Sequence, residues 1–321
     1  MDSELSVVLV IRLLFFNFLL LWELGNGVKV NNGTTNIKAN GDNTTIGALT
    51  DAEARTLRLL FKSLQSKNTT QLLLSYPICS TNMDAEIRCS CDNTKNRSAC
   101  WVTAINLASK MLDGFVHSSI SLFKNLRVLD LSSNFLTGSI PPSLTTLQSL
   151  RILDLSRNKL TGPIPDSISD CQYLNIIDLS NNMLTGVIPT SLGKLQHLQR
   201  FDLSNNMLTG VIPTSLGKLQ HLERLDLTSN ALTGSIPASL TTLHNLTILD
   251  LESNKLTGSI PDSISYCKNL TTIDLSFNNL TGRIPDSFQN TISKLYVYLS
   301  YNNFTEDCTD SKCLGLERVH M

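Results

Sequence analysis

Leu129-Asp130-Leu131-Ser132-Ser133-Asn134-Phe135-Leu136-Thr137-Gly138-Ser139-Ile140-Pro141 is the stretch on which the reading of this chain turns. A period of two sends Leu129 and Leu131 to one side and Val128 and Asp130 to the other, as a short half-buried strand requires. Asn134 falls where the chain leaves that strand. A buried Asn amide there both donates to and accepts from backbone groups that have left the ladder, which would be costly to bury unpaired. Gly138 suits a tight turn or a close backbone approach, and Ile140-Pro141 supplies an apolar contact followed by a fixed φ that favours extended chain. Leu144 and Leu147 then close the unit from the opposite side.

The same stretch recurs on both sides. Asp130, Asp154, Asp178, Asp202, Asp226, Asp250 and Asp274 are each 24 residues apart, as are Asn134, Asn158, Asn182, Asn206, Asn230, Asn254, Asn278 and Asn302. An eroded earlier copy shows at Ile105, Leu107, Leu112, Gly114 and Val116. About nine such units predict one α/β repeat solenoid over residues 105–304, with a parallel sheet on one face and an asparagine ladder beside it. Asp178–Leu198 is identical to Asp202–Leu222, so tandem duplication built the middle, and a scaffold role is expected there rather than a finely tuned site.

The motif Leu-Asp-Leu-Ser-x-Asn-x-Leu-Thr-Gly-x-Ile-Pro, as in Leu129–Pro141 and Leu249–Pro261, resembles the plant-type extracellular leucine-rich repeat. That resemblance implies a right-handed superhelix with disulfide-bearing caps and a second small sheet near the Gly-x-Ile-Pro segment. The fold occurs in plant receptor-like kinases, receptor-like proteins and secreted inhibitors of cell-wall hydrolases. The cap's usual Cys-Cys pair and Trp-x-Gly-Val segment are replaced by Cys89-Ser90-Cys91 and Cys100-Trp101-Val102, which is closer to some receptor-kinase ectodomains than to the inhibitors.

Upstream, Leu5 to Trp22 is a long apolar run followed by Gly25 and Gly27 at the spacing of a cleavage site, which reads as a secretory signal over residues 1–27; the alternative is an uncleaved anchor. Residues 28–50 are rich in Asn, Thr and Gly and are expected to be a flexible linker. A cap spans 51–104. Thr50 and Glu53 form a capping box there, and Leu57, Leu60, Phe61 and Leu64 give the spacing of an amphipathic helix. Residues 305–321 are the C-terminal cap or tail.

Eight Asn-x-Ser/Thr sites, at Asn32, Asn43, Asn68, Asn96, Asn245, Asn269, Asn279 and Asn303, agree with export and glycosylation. Cys79, Cys89, Cys91 and Cys100 in the first cap, and Cys308 and Cys313 in the tail, stand where an exported solenoid needs staples, with three pairings open to the first four. Cys171 and Cys267 occupy slots that other repeats fill with Leu, and are expected to be small core hydrophobes.

Charge excludes a general nucleic-acid binder: there are 26 Lys plus Arg against 27 Asp plus Glu, or 25 against 24 without residues 1–27. No catalytic constellation, phosphate loop or zinc motif appears, so neither an enzyme nor a cofactor is expected. His197 and His221 are duplicates of each other and read as solvated, and the seven-Asp ladder as a solvated face screened by Ser and Arg.

What remains is a surface. Its outward columns read Val128, Ile152, Ile176, Arg200, Arg224, Ile248, Thr272, Tyr296 and Ser133, Arg157, Asn181, Asn205, Ser229, Ser253, Phe277, Tyr301. Arg200, Arg224, Phe277, Tyr296, Tyr298 and Tyr301 are the candidate ligand-binding residues of a non-enzymatic, exported, receptor-like protein taking a protein or peptide ligand, with a membrane receptor kinase as co-receptor. The alternatives are an inhibitor of a secreted cell-wall hydrolase and a truncated receptor without retained function.

Overall fold

The computed structural model describes residues 36–38, 45–49, 51–64, 86–92, 99–286, 288, 295–305 and 319–320. Each repeat contributes a three-residue strand, from Val128–Asp130 to Tyr296–Tyr298, and these pair in parallel with equivalent residues opposite one another, as in Arg200↔Arg224 and Asp202↔Asp226. The register follows from the alternation, because a slip by one would send the apolar set to the polar face. Leu129, Leu153, Ile177, Phe201, Leu225, Leu249 and Ile273 point inward and are fully covered.

The asparagine ladder forms as expected. Asn206 Oδ1 accepts from Leu184 N at 3.0 Å, and its Nδ2 lies 3.0, 3.1 and 3.2 Å from the carbonyls of Leu179, Leu203 and Ser204. One side chain thus satisfies the backbone of two repeats. Beyond the ladder lies a second, shorter set of parallel strands, including Thr209–Val211, Ala231–Gly234, Lys255–Gly258 and Asn279–Gly282. Gly210 enters its turn at φ +77°, a left-handed value that costs glycine little.

The convex side is a stack of single 3₁₀ turns, such as Pro142–Thr146 and Thr214–Lys218, each preceded by the proline of its Ile-Pro step. They approach closely at Gly193 and Gly217. A Cβ on Gly193 would fall onto the backbone carbonyl of Ser215, 2.8 Å from its carbon, and one on Gly217 would meet Ser239 in the same way at 2.7 Å. The slots equivalent to these glycines hold Thr145, Ser169 and Thr241 in other repeats.

The N-terminal cap corrects one expectation. Part of the segment read as a flexible linker is strand: Asn36–Lys38 pairs with Thr45–Leu49, which in turn pairs in parallel with Ala99–Asn106, and Leu49 is buried in the core. Local composition argued for loop, but an open sheet edge at Ala99–Asn106 offers the backbone a partner that composition does not register. The cap helix α1, Asp51–Leu64, forms as the spacing predicts, with Leu57, Leu60 and Leu64 buried. Glu53 Oε1 accepts from Val102 N at 3.4 Å, tying α1 to the first long strand.

Ile87–Asp92 is antiparallel to Ala99–Asn106 and sets Cys91 directly opposite Cys100, and these two form a disulfide. Cys89 is disulfide-bonded as well. Cys171 and Cys267 are free and buried, as expected, and burial pushes both thiols up to about 11. The apolar run of residues 5–22, Thr50, Cys79, Cys308, Cys313 and the sites at Asn32, Asn43, Asn68 and Asn96 lie outside the described residues. No helix among the described residues is long and apolar enough to cross a membrane.

Candidate functional site

Removing the consensus from each repeat leaves the residues the fold does not demand, and on the strand face these gather between Arg200 and Tyr301. In the first strand column, apolar or Thr side chains give way to Arg only at positions 200 and 224 and to Tyr at 296. Arg224 Nη2 pairs with Asp226 Oδ2 of its own strand at 2.8 Å, while its buried Nε has no hydrogen-bond partner. Arg200 is exposed and forms no ion pair among the described residues.

The second column departs from expectation in conformation. These residues were read as strand positions, yet every one lies just past the strand with positive φ: Ser133 55°, Arg157 53°, Asn181 and Asn205 54°, Ser229 53°, Ser253 54°, Phe277 55° and Tyr301 58°. A period of two describes direction and not backbone handedness, so alternation alone could not reveal the turn. Asn tolerates this region well, whereas a bulky side chain there is an outlier. Phe277 and Tyr301 are nevertheless there, exposed by 46% and 72%, with stacked rings 4.2 Å apart. Tyr296 is exposed, and Tyr298 takes the row that Asp274 occupies one strand earlier.

The aspartate ladder also differs from the solvated face expected. Asp202 and Asp226 are buried, and Asp130, Asp154, Asp178, Asp250 and Asp274 are partly buried. The screening by serine is as expected: Ser204 Oγ donates to Asp202 Oδ1 at 2.7 Å, and the arrangement repeats at Asp130, Asp154, Asp178 and Asp274. Burial raises the carboxyls of Asp154, Asp178 and Asp202 above the ordinary range, against the pull of those serines.

Glu252 breaks this pattern and was missed from the sequence. The slot two residues after each ladder aspartate reads Ser132, Ser156, Ser180, Ser204, Thr228, Glu252 and Ser276, with Ser300 following Tyr298, and the lone carboxylate in that column was the signal available. Asp250 therefore lacks a hydroxyl from its own repeat and accepts at 2.6 Å from Thr228 of the preceding one. Carboxylate oxygens of Asp250, Glu252 and Asp274 all lie within 4.8 Å of one another. Burial pushes Asp250 up to about 6, opposed by the Thr228 bond and helped by the charges of Asp226 and Asp274. Burial likewise lifts Glu53, in the cap, to about 7.

A carboxyl raised by folding binds its proton more readily in the folded state, so stability grows as pH falls through the folded value and the gain is complete below the unfolded one. For Asp250 and Glu53 that window runs from about pH 7 down to about 4. Urea midpoints are expected to be higher at pH 5 than at pH 7, the unfolding free energy rising by on the order of 1 kcal/mol once solvent screening is allowed for. A lower midpoint at pH 5 would contradict the placement of these groups.

His197 and His221 are exposed as expected, and they extend a ring stack from Tyr173 with centroids 5.8 and 6.4 Å apart on the convex edge, away from the strand columns. Asn245 and Asn269 are exposed, with their Nδ2 atoms donating to Gln220 and His244 carbonyls. Asn279 and Asn303 are exposed on the second sheet.

A leucine-rich repeat region matches residues 102–279, and a further leucine-rich repeat matches 269–291. The chain belongs to the leucine-rich-repeat family. It is similar to solved ectodomains of plant receptor kinases. One is the ectodomain of the Arabidopsis thaliana membrane receptor kinase GASSHO1/SCHENGEN3 in complex with CASPARIAN STRIP INTEGRITY FACTOR 2, at 35% identity and TM-score 0.69, covering 78% of this chain and 30% of that one. Another is the plant peptide hormone receptor RGFR1 in complex with RGF2, at 35% identity and TM-score 0.62, covering 68% and 35%. A third is the Arabidopsis receptor kinase HAESA ectodomain with an N-terminally extended IDA peptide hormone, at 31% identity and TM-score 0.64, covering 78% and 41%. This leucine-rich-repeat chain thus spans between 30% and 41% of the length of those ectodomains. No curated protein matches it in sequence.

Proposed function

We propose that this leucine-rich-repeat protein is a non-enzymatic extracellular recognition scaffold that holds an extended peptide across its concave strand face and presents it to a membrane co-receptor kinase. The observation that carries the reading is the pair Phe277 and Tyr301, two large exposed rings stacked in a backbone region where the other repeats keep Ser, Asn or Arg. The fold gains nothing from them there, since a bulky residue at positive φ costs of order 1–3 kcal/mol. Exposed aromatics that bring large area at low entropy cost suit ligand contact. Ectodomains of similar sequence have been solved with peptide hormones bound, one of them also with the co-receptor SERK1. Glycans on Asn245, Asn269, Asn279 and Asn303 would border the strand face and leave it open.

Phe277→Asn combined with Tyr301→Asn tests this, because Asn is what Asn181 and Asn205 already supply at that slot. The double variant is expected to melt at or above the wild-type temperature, and to retain less than a tenth of the peptides that the wild-type protein enriches from plant extracellular fluid, measured by mass spectrometry. Tyr296→Ala with Tyr298→Ala is expected to lose capture similarly. Equal enrichment by wild type and both variants would sink the concave-face reading.

A further inference from the structure

The repeat motif leaves two positions free beyond the asparagine ladder, one after each ladder asparagine and one after each turn glycine, and both lie on the second sheet. In the N-terminal half of the solenoid they are apolar. Phe115, Phe135, Met183, Val187, Met207 and Val211 are between 40% and 58% exposed, while Leu184 and Leu208 point the other way and are fully covered. In later repeats the same positions hold Lys255, Asn279 and Asn303, or Ser235, Ser259 and Arg283. The fold demands neither set, since apolar and polar repeats make the same parallel pairing, as in Thr209↔Ala231 and Thr257↔Asn279. An exposed apolar face confined to one half of a flank marks a contact site.

We infer that this flank, from Phe115 to Val211, docks an amphipathic helix of a partner protein, with Asp or Glu bordering the helix's apolar stripe. Shape and charge favour that occupant. The backbone of the second sheet is already paired from repeat to repeat, so a partner is met by side chains and not as an added strand. Phe115 and Val211 are four repeats apart, about 20 Å at the ordinary strand spacing, and the two columns are separated by about 13 Å along the strands. A helix with its side chains is about 10–12 Å wide and covers that length in about 13 residues. So small a footprint falls well short of the roughly 800 Å² that each side of a standard interface buries, which disfavours a second copy of the chain. Every charged residue at the two positions is a cation, Lys159, Lys255 or Arg283, and no Asp or Glu stands at either. Lys159 projects among the apolar side chains, 5.3 Å from the centre of the Phe135 ring, and forms no ion pair among the described residues. An acid on the helix border completes it. Methionine suits such a contact because its unbranched side chain adapts to an irregular partner. The identity of Asp178–Leu198 with Asp202–Leu222 shows that duplication doubled this apolar surface without any finely tuned residue being needed.

Fluorescein-labelled helical peptides of about 20 residues test the inference by anisotropy on the full chain: one Leu stripe bordered by Glu, the same stripe bordered by Lys, and the Glu peptide with its Leu order scrambled. The ordered Glu peptide is expected to bind roughly tenfold tighter than either of the others at low salt, its lead over the Lys peptide fading as salt is raised. Val187→Ser with Val211→Ser installs what Ser139 and Ser235 already supply at that position. Met207→Asn completes a glycosylation site with Thr209, as Asn279 does with Thr281, and sets a glycan in the middle of the flank when the protein is made in glycosylating cells. Both proteins are expected to melt with the wild type, because the side chains changed are exposed, and each is expected to weaken the Glu peptide about tenfold. Equal binding of all three peptides, no binding of the ordered Glu peptide up to about 1 mM, or full binding by both variants would overturn the inference. A wild-type dimer in sedimentation that Met207→Asn dissolves would overturn it too, assigning the flank to a second copy.

Discussion

Replacing Asn206 with Ala is expected to lower the stability of the solenoid by about 3 kcal/mol, read as a shifted denaturant midpoint with an unchanged slope. The size follows from what the amide holds. Its Oδ1 is a partner of the Leu184 N–H, and its Nδ2 hydrogens are shared among the carbonyls of Leu179, Leu203 and Ser204. Ala leaves these groups buried without that partner, and each unsatisfied group costs roughly 1–3 kcal/mol, offset where the carbonyls retain a second partner or admit water. Because a repeat contacts only its neighbours, the loss falls on the interface between the repeat of Asn206 and the preceding one. An unchanged midpoint would mean that the ladder is decoration.

Gly217→Ala is expected to cost about 2 kcal/mol, far more than such a change usually does on a convex surface. A new Cβ would overlap the backbone of Ser239, which cannot swing aside as a flexible side chain can. Overpacking of this kind costs about 3 kcal/mol, and Ala recovers up to about 1 kcal/mol by restricting the unfolded chain. Thermal melting of the variant beside Gly258→Ala, whose Cβ meets only Ser235 Cβ at 3.5 Å but sits at φ +78°, separates close approach from backbone strain. A Gly217→Ala protein that melts with the wild type would show that the convex turns can part freely.

The solenoid was legible because its signal is repeated: the 24-residue spacing of Asp and Asn names strand and ladder at once, and a single eroded copy at Ile105 does not hide it. What was illegible depends on partners in space. Leu49 looks like a linker residue until the edge of Ala99–Asn106 is there to receive its strand. The bond between Cys91 and Cys100 needed the hairpin register that sets them opposite each other. Alternation showed which face Asp202 takes but not how deeply flanking repeats bury it. For the site, Arg200, Arg224 and the four aromatics were visible as breaks in their columns. Glu252 was not legible because it stands in the serine column between the outward ones, where alternation gives no sign that Asp250 and Asp274 lie beside it.

The two convex glycines sit behind the strand face without belonging to it. A solenoid bends because its outer turns are spaced more widely than its inner strands, and strand hydrogen bonds keep the inner spacing constant. At Gly193 and Gly217 the next turn's carbonyl lies where a Cβ would fall, so the Thr or Ser that other repeats carry could not enter these slots without parting the turns. Any larger residue there is expected to widen the outer spacing behind the strands of Arg200 and Arg224. Duplication of this repeat did more than lengthen the chain. It copied a glycine together with the close approach that the glycine permits, a handle by which the curvature of such a cradle can be tuned.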